Sequence, residues 1–510
     1  ISWNTSNLLF LSVNMPSTKA ICIHGHFYQP PREDPLTGIV PDEPGAKPYK
    51  NWNERIHAEC YRPNAQLGNF QQISFNIGPT LFSWMSQYDT VTYQQIVSQD
   101  QATFKRYGVG NAMAQAYNHT ILPLASNPDK EIQISWGIAD FEHHFGHKPL
   151  GMWLPETAVD KETLIILAKH GIKFTILAPW QTTNQGLDPT EPYRVNLPGG
   201  QSITVFFYEG DLSARMSFDP NATANADDFA LHELSQHFNP IKESLKQPQL
   251  LLLASDGELF GHHQPFREQF LAHLLNGASE KINLIPIFPA LWLIDHHPEK
   301  IIEIRERTSW SCHHGVLRWS GECDCTPNNG HWKSNLRKAL DHLAAELDGL
   351  YFESVYPLIP YPRMLRQRYI SALLGEISPE GLILDIAGKA LTSEQTLRIH
   401  LLLESQRERQ RMFTSCGWFF DDFNRIEPKN NIAYAAQAVR LARIATGIDL
   451  SPQVKSDLKL VQGNYNRIQG DIVFERQLQR AWDFGIKNGL PSRSNQKRKD
   501  EYKKSPSTLT

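Results

Sequence analysis

The sequence predicts a parallel α/β core followed by a mainly α-helical domain, and three observations lead there. From residue 20 to about 300, short apolar or β-branched runs alternate with longer stretches of helical period, the order expected of parallel strands joined by crossover helices. Beyond about residue 305 the apolar residues recur at spacings of three and four, and strand signals nearly vanish. Several strand-like runs also end in ionisable residues. In a barrel of parallel strands the carboxyl ends share one rim, so residues distant in sequence would converge on one pocket.

Taken in order, strands are expected at 20–23, 73–77, 151–154, 174–178, 203–208 and 250–254. One helix between them is well marked: Asp160 can cap it, Leu164, Leu167 and Ala168 line one face, and Gly171 sits where the chain must turn out. In the second half, Leu336, Leu340, Leu343 and Leu347 form one helical stripe, and Tyr434, Ala438, Leu441 and Ala445 another. Long helices are expected to start near Thr392 and Ile432, the first capped by Thr392 or Ser393 with Glu394 just inside. These signals divide the chain into a barrel over 15–305 and a helical domain over 306–490. Residues 1–14, ahead of Met15, are expected to be an extension outside the fold, and 491–510, rich in Lys and Arg, a solvated basic tail. No repeat recurs at a fixed period.

Composition narrows the function classes. With 50 Lys+Arg against 54 Asp+Glu the formal net charge is -4, so no broad positive field exists to draw a nucleic-acid backbone. A membrane span needs about 20 mostly apolar residues. The longest candidate, 282–294, is broken by Asn283, Pro286 and Pro289, so no membrane partner is expected. Cys22, Cys60, Cys312, Cys323, Cys325 and Cys416 are too few and too irregular for a disulfide scaffold. The greasy run at 8–13 has neither a positive charge before it nor a small-residue cleavage site after it. Both features predict a reducing, cytoplasmic setting. Oligomeric state is not specified.

The strand ends carry the chemistry. His24-Gly25-His26 follows the first strand, Glu156 follows Met152-Trp153-Leu154-Pro155, Glu209 and Asp211 follow 203–208, and Asp256 and Glu258 follow 250–254. Trp153, Trp180 and Tyr208 stand close by in sequence. Two carboxyl groups flanking one bond, one ionised and one protonated, are the minimal equipment for retaining glycoside cleavage, and aromatic faces would hold sugar rings. A competing role for Glu156 is to satisfy backbone donors at a helix start. His24 and His26 share a strand face; with Gln29 they suit hydrogen bonds to sugar hydroxyls, and a metal ranks second. The histidines at 143, 144 and 147 read as surface residues of a helix end. Cys312-His313-His314 and Cys323-Asp324-Cys325 have zinc-like letters, but their spacing departs from the usual ligand pairs, and a packed loop of reduced thiols without metal is preferred. Trp310 and Trp319 bracket that loop, each either reaching over the pocket or belonging to a core.

The string His24-Gly25-His26-Phe27-Tyr28-Gln29-Pro30-Pro31 resembles the opening motif of glycoside hydrolase family 57, and further matches follow in the family's order. Residues 110–124, with Tyr117, His119 and Pro123, resemble its second region, and 151–158 its third, which implies that Glu156 is the nucleophile. The 205–211 segment resembles the fourth region, where Glu209 occupies the position of the family's acid/base Asp, with Asp211 as the alternative. Residues 256–261 resemble a fifth region that shapes the glucan site. Segments 308–319 and 412–422 resemble a helical region of unassigned function that accompanies a subset of the family. The resemblance implies an incomplete seven-stranded TIM-like barrel followed by helices, a retaining hydrolase or transglycosylase of α-glucans or related α-glycosides, and no cofactor or required metal. His24, His26, Gln29, His119, Trp153, Asp256, Glu258, His262, Trp310 and Trp319 are then expected to line the oligo- or polysaccharide site. Two competing readings are a metal-dependent deacetylase or amidohydrolase, with His24, His26 and Asp256 as ligands, and a polysaccharide binder that turns nothing over.

Overall fold

The computed structural model describes residues 18–326, 330–463 and 468–488; the expected extension at 1–14 and the tail at 491–510 lie outside the described residues. Nine strands occur among these residues: β1 Lys19–Phe27, β2 Ser74–Ile77, β3 Ala114–Gln115, β4 Met152–Trp153, β5 Phe174–Leu177, β6 Tyr193–Asn196, β7 Ser202–Phe207, β8 Gln249–Asp256 and β9 Ile285–Pro286. β1 pairs in parallel with β8, from Lys19 opposite Gln249 to His26 opposite Asp256, and on its other side with β2. A parallel bridge from Phe75 to Ala112 leads to β3, β3 pairs with β4, a second bridge from Gly151 to Phe174 leads to β5, and β5 pairs with β7. The Glu209 N–H then donates to the Leu252 carbonyl of β8 (2.7 Å). The parallel strands therefore follow one another as β8-β1-β2-β3-β4-β5-β7, a barrel left incomplete where single bridges replace ladders. β6 lies antiparallel on β7, and β9 pairs with the start of β1.

Both faces of the long strands are apolar because one packs on helices and the other fills the barrel. Ile21, Ile23, Leu251, Leu253, Val205 and Phe207 belong to the outer layer. Ala20, Cys22, Leu250, Leu252, Ala254, Phe206 and Tyr208 pack inside with Trp153 and Phe174. Side chains alternate along a strand, so His24, His26 and Asp256 share the parity of the inner set. β7 ends at Phe207, on the outer parity, and the chain turns into helix Gly210–Phe218 directly after Glu209.

The helix Lys161–Lys169 starts as its sequence indicates, with Asp160 accepting the Thr163 N–H (2.8 Å), and Gly171 takes φ +86° just beyond its end. Helices of the second half begin at His331–Val355, whose Leu336, Leu340, Leu343 and Leu347 are all buried. Ser393–Arg411 carries a reciprocal cap between Thr392 and Gln395, the residue after Glu394. Ile426–Thr446 starts ahead of Ile432. Between the barrel and the first of these helices, 306–326 is an irregular loop with one short turn at Leu317–Trp319. Arg409 donates to both carboxylate oxygens of Asp129 (2.7 and 3.2 Å), and Arg411 pairs with Glu33 (2.6 Å), tying the helices to the barrel side. No helix among the described residues is long and apolar enough to cross a membrane.

Candidate active site

Beyond β4 the chain makes a tight turn in which Glu156 and Thr157 both hold left-handed backbone (φ +57° and +48°). For residues other than glycine that costs about 1–3 kcal/mol each, so the surroundings must enforce it. They do: Thr157 Oγ1 donates to Gln181 Oε1 (2.8 Å), Gln181 Nε2 donates to the Thr157 carbonyl (2.9 Å), and the Glu156 carbonyl accepts the Trp310 N–H (3.0 Å). The Glu156 carboxylate receives two more donors, Trp310 Nε1 (3.0 Å) and Ser311 Oγ (2.7 Å), both on Oε2. Oε1 takes no hydrogen bond among the described residues. Burial pushes the Glu156 pKa up, while Ser311, Trp310 and the nearby Arg318 guanidinium favour its charged form. Arg318 is itself fixed by the carbonyls of Ser311 (2.9 Å) and Phe419 (3.1 Å).

Asp256 ends β8. Its side chain is open to solvent yet sits deep among protein atoms, the combination expected at the floor of a cleft. Burial, and then the charge of Glu156, push its pKa up to about 7. Two residues on, buried Glu258 accepts the Tyr28 N–H (3.0 Å) and the Tyr61 hydroxyl (2.7 Å) on Oε1. Its pKa is pushed up to about 8 by burial and by Asp256, against the opposing Tyr61 bond.

Rings form the wall behind these acids. Trp153, buried inside the barrel, stacks on His24 (4.5 Å between centroids) and His26 (5.2 Å) and meets Trp310 edge-on (5.1 Å). His26 stacks in turn on His119 (5.3 Å), and His119 on Tyr28 (3.8 Å). His26 Nε2 and His119 Nε2 share a proton contact at 3.3 Å, and His119 Nδ1 meets Ser415 Oγ at 2.6 Å. Burial pushes His24 down to about 3, His26 to about 4 and His119 well below its usual value. All three are therefore neutral at neutral pH. They supply hydrogen-bonding capacity without a positive charge that would strip the proton from Asp256.

The structure places several sequence-predicted residues elsewhere. The Glu209 carboxylate is taken up at a helix start. Its Oε2 accepts the Leu212 N–H (2.6 Å) as the cap of helix Gly210–Phe218, and Oε1 lies 3.7 Å from His237 Nδ1. Asp211 is exposed on that helix's first turn. Both residues are thus used at a helix start just past the end of β7, and Asp256 is the acid whose pKa the charge of Glu156 raises. Trp319 is fully buried in the helical core with Trp332 and Leu336. His262 Nδ1 bonds Glu59 Oε2 (2.5 Å) and packs edge-on to Trp52. Gln29 is buried beside Tyr61. His24 spends its two nitrogens on Ser74 Oγ (2.9 Å) and Asn76 Oδ1 (3.2 Å), so it supports His26 from behind. With those nitrogens taken, His24, His26 and Asp256 do not form a ligand set among the described residues. His144 and His147 bond Tyr93 and Asp100, as structural residues do. Sequence reasoning gave no role to Ser311, Ser415, Tyr28 or Tyr61, because a single hydroxyl leaves no pattern to find.

A carboxylate that accepts two donors, coupled electrostatically to a carboxyl whose pKa is raised to about 7, is chemistry that suits an enzyme cleaving glycosidic bonds. The model of glycosyl hydrolase family 57 matches residues 38–305, more than half of the chain, and the chain belongs to that family. A domain of unknown function, DUF3536, matches residues 329–482. No curated protein matches the chain. Among solved structures, an exo-type maltose-forming amylase from Pyrococcus sp. ST04 superposes with a TM-score of 0.72 at 15% identity, covering 93% of each chain. A branching enzyme of the same family from Thermococcus kodakaraensis gives 0.57 at 15% identity, over 94% of this chain and 97% of that one. A 4-alpha-glucanotransferase from Thermococcus litoralis gives 0.53 at 14% identity, over 84% of this chain and 60% of that one. At these identities the likeness is one of fold.

Proposed function

We propose that the chain is a retaining hydrolase or transglycosylase of α-linked glucans in which Glu156 is the nucleophile and Asp256 the acid/base. The observation that carries this reading is the electrostatic pairing of the two groups. Trp310 and Ser311 favour the Glu156 anion against the burial that raises its pKa, and its charge helps keep Asp256 protonated up to about pH 7. In the first step Glu156 Oε1 attacks the anomeric carbon while Asp256 gives its proton to the glycosidic oxygen. The ester that forms on Glu156 has no charge, so part of what raised the Asp256 pKa disappears. Asp256, now deprotonated, becomes a better-retained anion and takes a proton from the incoming water or sugar hydroxyl. One pair thus supplies acid and then base, each when needed. The α-glucan assignment draws on family membership and on the maltose-forming, branching and glucanotransferase enzymes that share the fold.

The test is to incubate the protein with a 5-fluoro α-glucosyl fluoride and map the adduct by peptide mass. A label on the peptide carrying Glu156, with α-anomeric product at early times by proton NMR, supports the assignment. A label on Glu209, Asp211 or another carboxyl, or an inverted product, overturns it.

A further inference from the structure

Outside the cleft, the fold gathers four side chains that the sequence spacing had set aside. Cys312, His314, Cys323 and Cys325 each offer one ligand atom, and those atoms all lie within 4.8 Å of one another. Cys312 Sγ is 3.9 Å from Cys323 Sγ and 3.8 Å from Cys325 Sγ, and Cys325 Sγ is 3.4 Å from His314 Nδ1. A tetrahedral zinc with Zn–S of about 2.3 Å and Zn–N of about 2.0–2.1 Å requires edges of about 3.8 Å between sulfurs and about 3.5 Å between sulfur and nitrogen. The spacing is that of a coordination shell, whereas a disulfide draws its sulfurs to about 2.05 Å.

Two further observations fit an ion at the centre. The backbone N–H groups of His314 and Arg318 point at the Cys312 sulfur, and that of His313 at Cys325, which is how a turn stabilises thiolates bound to metal. Beside the cluster, the Lys333 ammonium is fully buried and has no hydrogen-bond partner among the described residues. Its charge acts on the sulfurs of Cys323 and Cys312. Three thiolates around one divalent ion leave one net negative charge, and the buried ammonium lies close enough to act on it.

We propose that Cys312, His314 Nδ1, Cys323 and Cys325 bind one zinc ion as a closed, four-ligand structural site. Soft thiolates with one imidazole in tetrahedral array select zinc over hard cations, and four protein ligands leave no position for a catalytic water. The site clamps the loop 309–326, in which Ser311 adjoins Cys312. Zinc therefore holds in place the two residues that donate to Glu156, a role independent of which sugar is cleaved.

The full chain purified without chelators under reducing conditions should carry about one zinc per molecule by plasma mass spectrometry. Replacement by cobalt should give a thiolate-to-cobalt charge-transfer band in the near ultraviolet and the visible bands of a tetrahedral ion. X-ray absorption should fit three sulfurs near 2.3 Å and one nitrogen near 2.0–2.1 Å. Cys323→Ser should lose the cobalt spectrum, whereas Cys60→Ser should keep it. Because Cys323 is buried and its loss can unfold the loop, His314→Ala provides the second arm. His314 is exposed, so that variant should keep its circular dichroism while its cobalt spectrum shifts and its zinc affinity falls at least tenfold. A metal-free chain that gives no charge-transfer band on cobalt addition, or a first shell of oxygen and nitrogen alone, overturns the proposal, as does a His314→Ala spectrum identical to that of the parent.

Discussion

At the scale of single residues, the division of labour proposed for Glu156 and Asp256 makes the pH dependence specific. Asp256 must hold its proton to act as acid, so kcat/KM should fall as pH rises through about 7, the value to which burial and Glu156 push it. Asp256→Asn should remove that alkaline limb and lower kcat/KM by about 10²–10⁴-fold for glucan, with a much smaller loss on aryl glycosides whose leaving group needs no proton. Glu156→Gln should abolish turnover, by on the order of 10⁴-fold or more. Glu209→Gln and Asp211→Asn should each cost less than tenfold, because one caps a helix and the other faces solvent. The same arrangement sets a sign for stability. A carboxyl with a raised folded-state pKa binds more protons folded than unfolded between its ordinary value of 3.8 and about 7, so stability falls as pH rises across that window. Asp256→Asn should accordingly raise Tm at pH 8 while it lowers activity, measured by calorimetry on the same preparation used for kinetics.

At the scale of elements, the loop 309–326 is as much a part of the site as any barrel strand. Ser311→Ala removes one charge-assisted donor from Glu156; such bonds contribute about 1.5–3 kcal/mol, which corresponds to roughly a 10- to 150-fold loss in kcat/KM. With that donor gone the Glu156 pKa rises further, so the acidic limb of the pH profile should move to higher pH, a shift that a merely looser loop would not produce. Strands were legible in sequence where a short apolar or β-branched run stands out between helical stretches, and β3, β6 and β9 were not, because their two to four residues do not form such a run. Glu156, His26 and Asp256 were legible because each follows such a run. The role of Asp256 was not. On β7 both Val205-Phe207 and Phe206-Tyr208 are apolar, so the sequence alone does not say which parity faces inward, and the acid/base role was expected of Glu209 or Asp211 while Asp256 was expected only to line the sugar site. The cysteine cluster was hidden for a related reason: Cys-x-His and Cys-x-Cys pairs become neighbours only when the loop folds back on itself.

Across the whole molecule, the helical half completes the cleft through Ser415 on His119 and Trp310 with Ser311 on Glu156, so its docking must be firm. The main polar tie is Asp129, buried at the start of helix Asn127–Phe145, which accepts from both Arg409 and Gln410 (2.6 Å to the latter). Coulombic attraction and hydrogen bonds from Arg409, with those from Ser126 and Gln410, outweigh burial and hold the Asp129 pKa down at about 2. The sign follows from that depression. The folded state keeps Asp129 ionised where the unfolded chain has begun to protonate it, so the contribution is complete above about pH 4 and is lost as pH falls toward 2. A shift of this size is worth about 2 kcal/mol. Arg409 also holds Asp348 (2.8 Å), which keeps Arg366 (2.8 Å), so Arg409→Met leaves buried Asp129 without its cation. Breaking a buried pair from one side costs about 3–5 kcal/mol, and the urea midpoint at neutral pH should drop accordingly. The double variant Arg409→Met with Asp129→Asn should recover part of that loss, because the neutral amide no longer needs a cation. Activity of the single variant should fall before global unfolding, as Ser415 leaves His119. A urea titration followed in parallel by turnover and circular dichroism reads this directly, and coincident curves would mean that the two halves do not separate first.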